Sequence, residues 1–347
     1  MTSNSTSPTN PISLVDFSLF LHPTSTASRL ETAKALVDAC RRVGFVYIIN
    51  HDIPSSFLEE AFAITKKLFD LSHEEKMQAE HPPGPTFHRG YSYPGLEKVY
   101  QVISDDIELG EKLRGVRDCK ESYEIGSEKN PSQPNIWLPE ATLPNFQPFM
   151  QSLYHRLSST AQMILLALGT GLELPDPSLI ANFHSGHGNQ LRLLHYPPIP
   201  ACEIEKGLAA RMPAHSDWGS ITMVFQDECG GLEIEHPDIP GEFMRADPVK
   251  DAIVMNVGDL LMRWSNDDLK STLHRVELPP LASRYTLSEE GERMTQARYS
   301  IPYFCAPDTD KLIEVLEECV KEGEEVKYEP IVAGDYFRVR GALQYQS

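Results

Sequence analysis

The sequence predicts a mainly β fold with flanking helices, and three observations carry that prediction. Between about residues 185 and 305 the apolar residues fall into short β-type runs separated by Gly, Pro and Asp turns, the texture of a sandwich or barrel and not of alternating βαβ units. Before residue 180, apolar residues recur at helical spacing in three long stretches. No GxGxxG or GxxxxGK[ST] loop and no internal repeat occurs, so nucleotide-binding folds gain no support.

Taken in order, the polar Ser/Thr/Asn/Pro run over residues 1–11 reads as a flexible N-terminus, with order beginning near Ile12. From Ser25, Leu30, Ala33, Val37 and Cys40 mark one helix face, and the pattern stops at Gly44. Phe45 to Ile49 reads as a buried strand. After Pro54 a second helix places Phe57, Ala61, Ile64, Leu68 and Leu71 on one stripe, and Ser72 to Glu75 matches a capping box for a short helix. His81 to Pro85 is a proline-rich loop, and residues 86–142 show little periodicity. A long helix is expected from about Asn145, with Phe146, Met150, Leu153, Leu157, Ile164 and Leu168 on one face and Gly169 and Gly171 ending it. Strands are expected at Leu191–Tyr196, Ile221–Gln226, Leu232–Glu235, Ile253–Val257, Thr272–Glu277 and Arg298–Cys305. An amphipathic helix carrying Leu312, Val315, Leu316 and Cys319 then closes the chain. The organisation that follows is a helical region over 12–180 packing on a β core at 185–305, with a C-terminal helix and tail at 306–347, the whole acting as one catalytic unit.

Composition narrows the function. A chain of 347 residues, 41% hydrophobic and 23% charged, is long enough for a large core. Its formal net charge of −19 argues against a nucleic-acid surface, which needs clustered Lys and Arg. An anionic small molecule would need its own local cation. No apolar run approaches the roughly 20 residues that span a bilayer, and the N-terminus lacks the basic and apolar regions of a signal peptide. A cytoplasmic protein is expected, without a membrane or nucleic-acid partner. Cys40, Cys119, Cys202, Cys229, Cys305 and Cys319 are scattered, which excludes a tight metal ribbon and points to small buried side chains.

The sharpest local feature is His215-Ser216-Asp217. In an extended segment, residues two apart share a side, so an imidazole and a carboxylate can meet at one point. His274, in a later strand-like run, would complete two His and one carboxylate with coordination positions left open, the facial arrangement of non-haem iron(II) sites. Read alone, the tripeptide is equally a surface or capping pair. Arg298 and Ser300 also share a strand side, a guanidinium and a hydroxyl suited to a carboxylate, although Arg298 could instead pair with a protein carboxylate.

At this point the sequence resembles the isopenicillin N synthase-like group of Fe(II)- and 2-oxoglutarate-dependent dioxygenases. The matching segments run through most of the chain: Ile12 to Ser18, Gly44 to Pro54, Arg89-Gly90-Tyr91, Asp118 to Glu121, Asn135-Ile136-Trp137 and Leu194 to Pro198. They continue with the His-Ser-Asp triplet, Asn256-Val257-Gly258-Asp259, Trp264-Ser265-Asn266, Ser271 to Val276 and Arg298-Tyr299-Ser300. The resemblance implies a double-stranded β-helix, a jelly-roll barrel. It implies that His215, Asp217 and His274 bind Fe(II), that Arg298 and Ser300 hold the distal carboxylate of 2-oxoglutarate, and that Tyr196 hydrogen-bonds the same cosubstrate. A core role for Tyr196 is the other reading.

Arg192, four residues before Tyr196, faces the same side and would contact substrate or close a salt bridge. Trp218, Phe225 and Phe304 are candidate pocket walls or core residues, and Trp264 is a packing residue. His184, His187 and His195 complete no second metal site by their spacing. The implied reaction consumes O2 and 2-oxoglutarate, releases succinate and CO2, and oxidises a C–H bond of a small organic molecule, as in secondary metabolism, with ascorbate a candidate reductant. Hydroxylation, desaturation and ring formation or expansion stay open, and no obligatory protein partner is inferred. Three further readings are an iron oxidase of the same family that needs no 2-oxoglutarate, a zinc hydrolase and a non-catalytic metal-binding barrel. Residues 86–110 are a candidate lid.

Overall fold

A computed structural model describes residues 11–84, 88–96, 116–279 and 282–345. Three layers are stacked: helices, a large sheet and a small sheet. The major sheet is built from β1 (Ser13–Asp16), β2 (Phe45–Ile49), β3 (Gly90–Ser92), β4 (Glu121–Gly126), β5 (Gln190–Tyr196), β7 (Ile221–Gln226), β10 (Ile253–Val257) and β12 (Arg298–Cys305). Across the sheet they run in the order β1, β2, β10, β7, β12, β5, β4, β3. The minor sheet holds β6 (Met212–His215), β8 (Leu232–His236), β9 (Ile239–Arg245) and β11 (His274–Val276), in the order β9, β8, β11, β6. β1 and β2 pair in parallel and the other neighbours in both sheets are antiparallel. This is the jelly-roll barrel expected from the sequence, but residues 12–180 contribute four strands of the major sheet as well as helices.

The helices form for the local reasons read above. Helix α1 (Thr26–Arg42) is capped by Ser25, whose hydroxyl accepts from Ser28 N at 3.1 Å. Helix α2 (Ser55–Phe69) follows Pro54 and buries Leu58, Ala61, Ile64 and Leu68. The capping box at Ser72 and Glu75 is present, with bonds of 2.9 and 3.2 Å. Helix α3 (Phe146–Gly171) packs on α1, runs through Gly169 and ends at Gly171, as the sequence predicts for the second glycine. A Cβ on Gly171 would stand 2.3 Å from the Ala33 carbonyl oxygen, so the glycine at this helix end also allows the close approach of two helices.

Two cores result. The larger lies between the helices and the outer face of the major sheet, with Val46, Ile48, Met223, Phe225, Met255 and Ile301 turned into it. The smaller fills the barrel between the sheets, with Phe45, Tyr47, Val254, Leu232, Ile234 and Val276. Both follow from the two-residue period of a strand.

The C-terminal expectation needs correction. Leu312 and Ile313 form a two-residue strand paired with Ile331 and Val332, and only a single 3-10 turn covers Glu317–Cys319. Their apolar spacing mimics a helix because Ile313, Leu316 and Cys319 are buried from a turn-rich segment while Leu312 is exposed. The C-terminal helix lies later, as α5 (Ala333–Tyr345). Among the described residues no helix is long and apolar enough to cross a membrane. Residues 1–10 of the expected flexible terminus, and residues 86–87 and 97–110 of the candidate lid, lie outside the described residues.

Candidate metal and cosubstrate site

A cavity of about 1760 Å³ opens between the sheets, lined by alternate residues of the barrel strands. On its minor-sheet side, His215 ends β6 and His274 opens β11, and the two are direct partners in the antiparallel register. Their rings lie 4.2 Å apart. Asp217, in the turn after β6, brings Oδ1 to 3.9 Å from His215 Nε2 and 3.8 Å from His274 Nε2. Strand alternation predicts that His215 and Asp217 meet, whereas in the structure the turn brings them together.

The ring orientations are fixed from behind. His215 Nδ1 donates to the Pro213 carbonyl at 2.9 Å and His274 Nδ1 to the Thr272 carbonyl at 3.3 Å. A carbonyl can only accept, so each Nδ1 carries a proton, and in the neutral ring each Nε2 presents a lone pair. Two lone pairs and a carboxylate oxygen thus converge, all within 4.8 Å of one another. They repel unless a cation sits among them, and the donor set suits a divalent transition metal such as iron(II). Burial, then the neighbouring His274, pushes the pKa of His215 down. For Asp217 burial acts upward, but the two imidazoles and bonds from Thr222 and Asn256 outweigh it and hold the carboxyl below its ordinary value.

Asn256 has no role in the sequence reading beyond its place in a motif. From β10 its Nδ2 donates to Asp217 Oδ2 at 2.7 Å, leaving Oδ1 of Asp217 for the convergence point. The signal is a polar side chain inside the otherwise apolar strand Ile253–Val257. Behind the loop, Asp259 N donates to the Asp217 carbonyl at 2.7 Å. That approach requires Gly258, where a Cβ would stand 2.3 Å from the Gly219 carbonyl oxygen.

On the major-sheet side, Arg298 pairs with Tyr196 across β12 and β5. Its side chain is only 1% exposed. Nε donates to the Gly230 carbonyl at 3.0 Å, Nη1 to Ser300 Oγ at 3.2 Å, and Nη2 to Gln226 Oε1 at 3.4 Å. The guanidinium lies 5.1 Å from the centre of the Tyr196 ring. All these acceptors are neutral, and among the described residues no carboxylate forms an ion pair with Arg298. The nearby acid Asp227 is occupied by the backbone N–H groups of Tyr299, at 2.6 Å, and Cys229, at 3.0 Å. A buried guanidinium without a counter-ion is costly, so this pocket fits a ligand carboxylate.

Arg192, Trp218 and Phe304 line the cavity. Arg192 does so while paired with Glu124 at 3.0 Å. Phe225 does not line it: it alternates with Thr222, Val224 and Gln226 and turns to the helix side, edge-on to His51 at 5.8 Å. The polar residues Thr222 and Gln226 are the signal for which parity faces the cavity. Trp264 is buried against Phe183, and His184 is held by the Ile180 carbonyl and Ser220. His195 is bonded to Glu121 at 2.7 Å, and among the described residues neither His184 nor His195 belongs to a metal-type cluster. His81, His88 and Glu124 do approach one another within 4.8 Å. Glu124 there is already paired with Arg192 and faces Arg89, which disfavours a second cation.

Comparison with known proteins shows the family. Residues 12–146 match the family model described as non-haem dioxygenase in morphine synthesis N-terminal, and residues 188–307 match the 2OG-Fe(II) oxygenase superfamily. The 2-oxoglutarate-Fe(II) type oxidoreductase ppzD of Metarhizium rileyi is 37% identical over 97% of this chain and 92% of its own. The proline hydroxylase buaE of Petromyces alliaceus is 40% identical over 88% and 91%. Among solved structures, a full-length Neurospora crassa protein in complex with alpha-KG and thymine superposes with a TM-score of 0.84 at 38% identity, covering 96% of this chain and 97% of that one.

Proposed function

The chain belongs to the 2-oxoglutarate- and iron(II)-dependent oxygenases, and from that premise we propose which residues carry the reaction and what kind of molecule it acts on. His215, Asp217 and His274 hold the iron, and Arg298, Ser300 and Tyr196 hold 2-oxoglutarate. The observation that carries this assignment is the buried Arg298, which has three neutral acceptors, no ion-pair partner among the described residues, and the same cavity as the three converging ligand atoms.

When bound, iron(II) with 2-oxoglutarate and O2 supplies an oxidative decarboxylation that releases succinate and CO2 and has the oxidising power to break a C–H bond. The protein's own residues do the rest. Arg298 offers two parallel N–H groups to the distal carboxylate, and the Ser300 hydroxyl adds a third donor. Asn256 keeps Asp217 turned toward the metal position. Leu194, Val224, Leu232 and Val276 line the barrel interior and exclude water from it. Arg192, Trp218 and Phe304 face the space left for substrate, which they hold with its reacting bond near the metal.

The substrate is a small organic molecule, and the role is in secondary metabolism. The similarity to a proline hydroxylase and to a protein that binds thymine supports a compact, polar substrate. The enzyme is assigned to the cytoplasm, with no nucleic-acid, membrane or obligatory protein partner and with ascorbate as auxiliary reductant.

The test is anaerobic. Protein reconstituted with Fe(II) and then given 2-oxoglutarate is expected to develop the weak visible charge-transfer band of a chelated oxo-acid. The band should vanish in His215→Ala, Asp217→Ala and His274→Ala and need far more 2-oxoglutarate in Arg298→Ala. Iron binding without a band in the wild type would overturn the cosubstrate assignment, and a band that survives loss of the three ligands would overturn the metal assignment.

A further inference from the structure

Asp259 joins the C-terminal helix to both segments that carry metal ligands. It opens the short helix α4 (Asp259–Trp264). Oδ1 accepts from Ser271 Oγ at 2.6 Å, three residues before His274. Oδ2 accepts from Ser216 Oγ, between His215 and Asp217, at 3.2 Å. The same oxygen meets Arg340 Nη2 at 2.6 Å and the Tyr336 hydroxyl at 3.3 Å, both on α5. Arg340 also donates to Ser216 Oγ at 3.4 Å and lies 5.7 Å from the centre of the Trp218 ring. The ion pair is sheltered, its side chains 9% and 12% exposed. On the same helix, Arg338 is 77% exposed and pairs with Asp335.

We propose that Arg340 is a positioning residue for the metal site, neutralising Asp259 so that the Ser216 and Ser271 clamps hold His215, Asp217 and His274 at their native spacing. This rests on the iron assignment made above. A sheltered carboxylate that loses its cation must draw in water or turn away from its partners. Here those partners are the two serines that flank the ligands, so the disturbance arrives at the metal and not at a distant surface. The same contact seats α5 at the cavity, where Gly334 and Phe337 form part of the wall. Docking of the C-terminal helix and the geometry of the metal site are therefore set by one ion pair.

The full-length metal-free protein is titrated anaerobically with Co(II), read by its visible absorption, in the wild type, Arg340→Met and Arg340→Lys, with circular dichroism to verify folding. Arg340→Met is expected to weaken Co(II) about ten- to a hundredfold, the size of effect seen when groups behind a ligand are lost, and to alter the Co(II) spectrum. Arg340→Lys, which keeps the charge, should recover most of that loss. If Arg340→Met does not fold, Arg340→Gln replaces it under the same criterion. Wild-type affinity and spectrum in the folded neutral variant, or a loss that lysine does not reduce, would overturn the proposal. A wild type that binds no Co(II) would instead overturn the metal assignment beneath it.

Discussion

The major sheet is buried on both faces, one against α1, α2 and α3 and the other against the barrel interior, whereas the minor sheet turns its outer face to solvent. There Glu233 and Arg275 pair at 2.8 Å, Arg275 stacks on Phe243, and β9 is largely exposed. The proposed cosubstrate anchor Arg298 stands on the thick side and His215 and His274 on the thin side. Packing fixes the first. Around the second, Asn256 from the major sheet bonds Asp217, and Asp259 of α4, paired with Arg340 of α5, bonds Ser216 and Ser271 beside the two histidines. A two-sided site thus combines a rigid wall with a wall that is braced.

The largest expected effect tests the thin side alone. Asp217→Ala should abolish iron binding and turnover while leaving the circular dichroism spectrum of the folded protein, since the helix-backed core does not involve it. Met223→Ala should do the converse. This side chain is wholly buried in the larger core, so its truncation is expected to cost about 2–5 kcal/mol in denaturant unfolding, with iron affinity of the folded protein unchanged.

A third probe uses pH. His184, behind the major sheet, has a pKa lowered from 6.5 to about 4, with burial the main cause. The unfolded chain takes a proton near 6.5 that the folded chain refuses until about 4, so stability is full above 6.5 and falls as pH drops through that window. The share due to His184 is about 3 kcal/mol, and His184→Gln should flatten the slope of urea midpoints against pH by that amount.

Bracing is tested by Asn256→Ala, which frees Asp217 Oδ2 and should weaken iron about ten- to a hundredfold by equilibrium titration. If it lowered stability without touching affinity, the distinction between packed and braced walls would fail. Smallest of all, Glu233→Ala on the solvent face should shift unfolding by under about 1 kcal/mol.

The thick side is the more legible in the sequence. Ile221–Gln226, Ile253–Val257 and Arg298–Cys305 are expected with their observed bounds, because burial on both faces gives a continuous apolar run. The same property hides which face is which, so Phe225 reads as pocket wall or core alike, and the structure places it in the core. On the thin side, β6 and β9 escape sequence reading altogether. Met212–His215 and Ile239–Arg245 contain prolines and little β-type alternation, and they pair only because the barrel supplies neighbours. The proposed ligands are legible as residue types in order, while their bracing is not. Arg340 reaches the site from a helix with no single apolar stripe, and a polar clamp between distant segments leaves no periodic trace.

The direct pairing of His215 with His274 has a consequence for how the protein matures. A slip of one residue between β6 and β11 would turn His274 outward and Arg275 inward, and β11 is only three residues long. Metal gains both imidazoles only from the native alignment, and binding that favours one alignment adds its free energy to that alignment. On the proposed iron assignment, metal binding therefore favours the native register of β6 and β11 over a shifted one.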